Sequence, residues 1–569
     1  VNKKDLNQWK TPYQLATGSG YTLILTPRSA PYTVTDLLSL APSTFLLQSD
    51  GSYLLLESLY VMRGATLALS GPGGLKLRMA SNADGFVSIV SYGGDIVLTG
   101  TAGARMLITS WDPRTDKPDT DTTNGRAYIR TIGGSFTMSY VDVVDLGFWS
   151  GRTGGIGLTG TTKPISGSTS STSVTGAGSA PNTSGDQGAA KPGDVGALGD
   201  SGVQLSPAGP LSAPDDQFEV PGVSFVTIEI DHDTITGDAF GLFISGATGI
   251  EVSDTQVTGS LIDGIVLERY ANDALVQDDD SSHNDGDGFV VSRAASDVQL
   301  VGCTAYYNAG NGYTVDGEQI SDGPSASGEP TGAYGNNTVS NSLSQGNKQY
   351  GFDVIGGLNI ALDDNSIVGN QMGIVVRKSA QQVLISGNRL LKQDRQGISI
   401  LDGVQGVTIN NNVIDGAATG IYVRNASADI TGNTVNGASI HGVTLLDDDA
   451  GSLVNGNVVA GIGSEAIDTH REQGRIAVSG NQTAGWYEST ALWVRVRSLI
   501  SPQTVVWLSL FVFVAFFSLK GKWMRGTGYR RDTSSNPEEF ALHPYAQQSS
   551  LDLDPPFEPA GSEPEPQTA

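Results

Sequence analysis

The chain has 569 residues, with 33 Lys and Arg against 59 Asp and Glu, and so a formal net charge of −26. That balance excludes general nucleic-acid binding, which needs a basic face, and it obliges any anionic ligand to meet a local basic stripe or a bridging cation. The single Cys303 permits no internal disulfide, and the five His at 232, 283, 441, 470 and 543 are too scattered for a metal-ligand motif.

Residues 1–51 read as a cap region. No basic stretch followed by an apolar run of signal-peptide length opens the chain. Thr35-Asp36 ahead of Leu37-Leu38 predicts a short helix ending before Pro42, suited to sealing the end of a sheet. Residues 52–160 hold short apolar runs such as YLLLESLYV, DIVLTG and GIGLTG between Gly-rich turns. They predict irregular coils of the same solenoid that follows. The Asp-rich stretch Asp112–Asp121 reads as a solvated loop, because its spacing matches no Ca²⁺ loop. No cofactor is expected. Residues 161–222 are Ser, Thr, Gly, Ala and Pro with almost no large apolar side chain, the composition of a disordered insertion.

Residues 223–483 repeat. Lined up on glycine, segments begin at Gly241, Gly264, Gly288, Gly312, Gly351, Gly373, Gly397, Gly420 and Gly442, with a last copy at Ala466. Most intervals are 22–24 residues, and the 39-residue gap after Gly312 holds an insertion at 318–336. A second column runs in register: Asn341, Asn365, Asn388, Asn411, Asn433, Asn457 and Asn481. Each copy has short runs of Val, Ile, Leu and Thr broken by Gly, Asn and Asp, and none has a helical period. This predicts an all-β fold, a right-handed parallel β-helix of 22–24-residue coils, with the Asn column as an internal amide ladder. Cys303, near that column, reads as a buried structural thiol.

Residues 484–498 read as juxtamembrane, with Trp486, Trp493 and Trp507 suited to a membrane interface. Residues 499–519 carry no charge and are long enough for one transmembrane helix. Five basic residues follow, Lys520, Lys522, Arg525, Arg530 and Arg531, so the tail 520–569 is expected in the cytoplasm and the β-helix outside the cell. The Pro- and Glu-rich tail itself reads as disordered.

Alternation along each glycine strand separates core from surface. The first and third positions after Gly are apolar in nearly every copy and face inward. The second and fourth positions then face out. Stacked coils bring Arg293, Asp316, Asp353, Arg377, Lys378 and Arg424 into one mixed acid–base strip, able to run along an extended polymer with guanidinium forks on its carboxylates or hydroxyls. A solvated face with alternating charge is the plainer account of the same residues.

Thr304–Tyr313, TAYYNAGNGY, resembles the NVAYGN-type coils of bacterial mannuronan C5-epimerases, and Tyr350-Gly351-Phe352-Asp353 resembles the start of their YGFDPH motif. The coil is also similar to the wider class of right-handed β-helix proteins that bind or act on carbohydrates, NosD-like and pectate-lyase-like proteins among them. The resemblance implies a uronan as ligand, Asp353 neutralising its carboxylate and Tyr350 donating a proton. The chain departs from the motif at Val354-Ile355, where the family has Pro-His, so the base is missing. Three functions follow. The first is a membrane-anchored extracytoplasmic protein that binds a surface or matrix polysaccharide through Arg293, Asp316, Arg377, Lys378 and Arg424. The alternatives are an epimerase or lyase using Asp353 and Tyr350, and a non-catalytic structural rod. The partners expected are a uronate-containing polysaccharide and a membrane, with no nucleic acid.

Overall fold

The computed structural model describes residues 10–17, 20–160, 225–318, 334–447, 449, 451–472, 475–489 and 509–514. A regular coil makes three strands, and the coil from Tyr350 shows the pattern with Tyr350–Gly356, Leu358–Asp363 and Ser366–Val368. Each strand pairs in parallel with its counterpart one coil on. Asp353 stands beside Val375, Leu362 beside Ile385, and Ile367 beside Leu390. The repetition builds three long parallel faces, termed here the glycine face, the second face and the third face.

The core is the interior of the coils. Leu242, Ile244, Ile265, Leu267, Phe289, Val291, Phe352 and Val354 are all buried, as the alternation requires. Phe289, Tyr313 and Phe352 stack inside three successive coils, with ring centroids 5.0 and 4.6 Å apart. The Tyr313 hydroxyl donates to Cys303 O at 2.7 Å, which satisfies its polar end. Cys303 is fully buried, and burial pushes its thiol up to about 12.

The coils begin earlier than 52. Gly20–Leu25 pairs in parallel with Ser58–Met62, after an antiparallel hairpin with Tyr13–Thr17. The expected helix is present at Val34–Leu40, but its cap is Thr33 rather than Thr35. The Thr33 N–H and hydroxyl both donate to Asp36, each at 2.9 Å. Leu37 enters the core. Gly155–Thr159 pairs directly with Phe240–Ser245, so the strands on the two sides of residues 161–222 are neighbours.

The last strand, Gln482–Glu488, runs past the expected boundary at 483. Trp486 packs on the core there, rather than serving as a free interface residue. By compactness the chain divides into Val1–Thr490 and Ala491–Ala569. Residues 161–222 and 520–569 lie outside the described residues. Of the expected span 499–519 only 509–514 is described, as helix. Among the described residues no helix is long and apolar enough to cross a membrane.

Candidate functional site

One row of outward positions runs the length of the glycine face. It passes through Tyr60, Val90, Arg130, Gly157, Phe243, Val266, Val290, Thr314, Asp353, Val375, Ser399, Tyr422, Thr444 and Asp468, each beside the next. The row points away from the core, yet Asp353, Val375, Ser399 and Thr444 are 2% exposed or less. Outward strand positions on a soluble sheet are ordinarily solvated. The Ser399 and Thr444 hydroxyls are buried without a hydrogen-bond partner.

The middle of this face concentrates the chemistry. Asp353 is held from one side by Arg377, whose Nε donates to Oδ1 at 2.9 Å and Nη2 to Oδ2 at 2.8 Å. This two-pronged pair occupies both carboxylate oxygens and, through those bonds, raises the Arg377 pKa. Two coils earlier stands Asp287. Its Oδ1 accepts the Asn311 N–H and its Oδ2 accepts the Thr314 hydroxyl, both at 2.6 Å. The Asn311 amide in turn donates to Thr314 Oγ1 at 3.0 Å, and Asn311 Oδ1 accepts the Tyr350 N–H at 3.0 Å. Burial raises the Asp287 pKa, and the charge of Asp353 adds to the rise. One coil further, Asp263 Oδ1 accepts the Asp287 N–H at 2.8 Å. Burial and the Asp287 charge push Asp263 up to about 7. Tyr350 sits three residues before Asp353 on the same strand, partly exposed.

The expected strip is only partly assembled. Arg293 bonds Asp316 and Glu318, each at 3.1 Å, and Lys378 bonds the same Glu318 at 3.1 Å. Glu318 is therefore the acid that joins Arg293 to Lys378, and it had no place in the strip read from the sequence. Arg424 stands apart. It pairs with Asp402, and Leu401 separates it from Arg377 along the strands. Asp353, expected to neutralise a substrate carboxylate, has both its oxygens bonded to Arg377.

Sequence reasoning missed a second acid–base group near the C-terminal coils. His441 stands directly before its strand glycine, the position of Tyr350 in its own coil, and Asp468 lies on the central row. His441 Nε2 is 3.6 Å from Asp468 Oδ2 and 3.3 Å from Ser464 Oγ, while Nδ1 faces Glu465 O at 3.3 Å. Arg471 Nη2 donates to Asp468 Oδ2 at 3.2 Å. The glycine alignment carried the signal, since residues directly before the glycines fall in one column with Asp263, Asp287, Tyr350 and His441. Elsewhere, on an exposed corner between the second and third faces, Asp231, His232 and Asp254 bring ligand atoms within 4.8 Å of one another. His232 Nδ1 is already bonded to Asp231 at 2.8 Å, and nothing further at that corner points to an ion.

A family profile for the right-handed β-helix region matches residues 221–328 and 321–459. No curated protein matches the sequence. Among solved structures, a double mutant of the periplasmic alginate epimerase AlgG aligns with a TM-score of 0.51 at 12% identity, covering 85% of this chain and 89% of that one. Unaltered AlgG aligns with a TM-score of 0.50, also at 12% identity, over 84% and 88%. The chain is a right-handed parallel β-helix with structural similarity to the alginate epimerases.

Proposed function

We propose that the chain modifies a uronate-containing polysaccharide on its glycine face, by proton transfer of the epimerase or lyase type. The observation that carries this reading is the central cluster: the Asp287 carboxyl, its pKa raised by desolvation, beside the buried Asp353 carboxylate with its partly exposed partner Arg377 and the phenol of Tyr350. Neighbouring carboxyls driven to different states are how a fold supplies acid and base at one pH. Burial moves Asp287 toward the pH at which a carboxylate can take a proton from carbon. In this reading Asp287 receives the C5 proton and Tyr350 returns one to the other side, while Arg377 keeps Asp353 fixed beneath the sugar. Ile355 stands where the resembling motif has His, and Asp287 takes the base's part.

The test incubates the full chain with mannuronan, alginate and pectate in deuterium oxide. Deuterium at C5, or unsaturated ends seen by ultraviolet absorbance, is expected, and Asp287→Asn should lower the rate at least 100-fold, the span of general base catalysis. No exchange and no unsaturation with any uronan would sink the enzyme reading. A second reading, binding without turnover, draws on the self-neutralising network of Arg293, Asp316, Glu318 and Lys378, which suits a static docking edge. Under it the same uronans bind unchanged. The uncharged stretch 499–519 and the basic residues after it support an extracytoplasmic β-helix on a single membrane anchor.

A further inference from the structure

The glycine face carries a second charged feature far from Asp353. Arg130 lies on the central row, six coil steps before Asp353, roughly 29 Å at the spacing of stacked strands. Its Nε is buried and has no hydrogen-bond partner. Among the described residues it forms no ion pair. Arg152, on the short turn Gly151–Thr153, is close enough to push the Arg130 pKa down to about 10 together with burial. Arg152 forms no ion pair among the described residues either. Glu268, its pKa raised by burial, feels the charges of Arg269 and Arg152 but forms no ion pair with Arg152 among the described residues.

The turn is seated, not loose. A Cβ on Gly157 would lie 2.8 Å from Arg152 O, and one on Gly151 would strike the Phe243 ring, so only glycines let the turn lie flat on the row. Phe240, Phe243 and Val266 form an apolar cluster outside the main core beneath it. Trp149, two residues before the turn, is 69% exposed. Two unpaired guanidinium groups, one with a buried orphan N–H, are costly in a folded protein. In a chain of net charge −26 carboxylates are abundant, yet among the described residues none forms an ion pair with either guanidinium.

We infer that Arg130 and Arg152 form a subsite for an oxyanion of an acidic sugar, a carboxylate or a sulfate ester, with Trp149 offering an aromatic face at its rim. The subsite rests on the reading of this face as polysaccharide-facing, but not on turnover. It would hold a polymer several sugar units away from the Asp287–Asp353 centre.

Calorimetry on the full chain tests it with four probes: a mannuronate oligomer, the same oligomer with its carboxyls reduced to alcohols, a sulfated form of that neutral oligomer, and inorganic sulfate. The expectation is that Arg130→Gln and Arg152→Gln each weaken the mannuronate or the sulfated oligomer roughly 10- to 100-fold, the range of a charge-assisted hydrogen bond. The probe that loses affinity tells carboxylate from sulfate ester. The neutral oligomer should be indifferent to both changes. Without ligand, Arg130→Gln should melt no lower than the parent, since it removes a poorly paired charge. Should Arg130→Gln fail to fold, Arg152→Gln on the surface turn decides alone. Unchanged affinity for every anionic probe in Arg152→Gln, or an equal loss for the neutral oligomer, would overturn the subsite. A chain that binds through Arg130 and Arg152 yet exchanges no C5 proton would lose the enzyme reading only.

Discussion

At the residue scale the corner ladders decide what holds the coils in register. Asn388 shows the unit. Its N–H and its side-chain amide both donate to Asn412 Oδ1, at 2.9 and 3.0 Å, and the amide also donates to Leu362 O at 2.9 Å. The ladder runs from Ser342 through Asn365, Asn388, Asn412, Asn433 and Asn457 to Asn481. Asn365, Asn388, Asn433, Asn457 and Asn481 were legible as a column, but Asn341 and Asn411 are not its members. Those two hold positive φ at the turn, one residue before Ser342 and Asn412. The one-residue slip is invisible in a count of intervals, because the turn absorbs it. A second ladder, Asn284, Asn308, Asn347, Asn370 and Gln393, escaped the sequence reading although all but Asn370 stand four residues before their strand glycine, because a Gln ends it and Asn370 is one residue out of step.

Toward the N-terminus the first ladder changes chemistry. Asp279 Oδ1 accepts the Thr255 N–H at 2.7 Å, while Oδ2 is buried and unpartnered. An Asn at this place offers an N–H to a carbonyl, whereas a carboxyl can do so only when protonated. Burial accordingly pushes Asp279 up to about 8 and Asp233 up to about 7. Both folded values lie above the unfolded value, so the stability they contribute is full below about pH 4 and is lost as pH rises through 7 to 8. Each group should lower stability by up to about 1.4 kcal/mol per pH unit within that window. Thermal melts of the parent should therefore fall between pH 5 and 8, and Asp279→Asn should flatten the fall and raise the melting temperature at pH 8. A variant less stable than the parent at pH 8 would show that the carboxyl is held ionised by a partner.

At the scale of the element, the glycine strands were readable because their apolar alternation and their spacing recur together. Gly351 shows why glycine is required. A Cβ there would lie 2.6 Å from both Gly373 O and the Ile367 side chain. What alternation could not reveal is that the outward row is shielded, since exposure depends on how neighbouring rows lean, as Arg377 leans over Asp353. The Phe289–Tyr313–Phe352 stack ties three coils under the candidate site. Phe352→Ala should cost about 3–5 kcal/mol, the range for truncating a buried aromatic, read as a shift in urea midpoint. A shift equivalent to less than 1 kcal/mol would mean that the stack collapses to fill the space and contributes little to register.

At the scale of the molecule, the β-helix and the apolar stretch 499–519 make different demands on their surroundings. The function proposed for the glycine face requires its polymer on the same side of any membrane as the coils. In the proposed topology the uncharged 21-residue stretch is the anchor, and Lys520, Lys522, Arg525, Arg530 and Arg531 after it favour a cytoplasmic tail. The proposed topology therefore puts the coils outside the cell. Protease added to intact cells carrying the full chain should therefore cut on the β-helix side and spare a tag placed after Thr568. Impermeant amine labelling should reach Lys378, whose side chain is 48% exposed, before lysis, and Lys520 and Lys522 only after it. Labelling of Lys520 and Lys522 in intact cells would invert the orientation. It would also remove the polysaccharide from reach of Asp287, Asp353 and Arg130 together, so the topology bears on every reading of the glycine face.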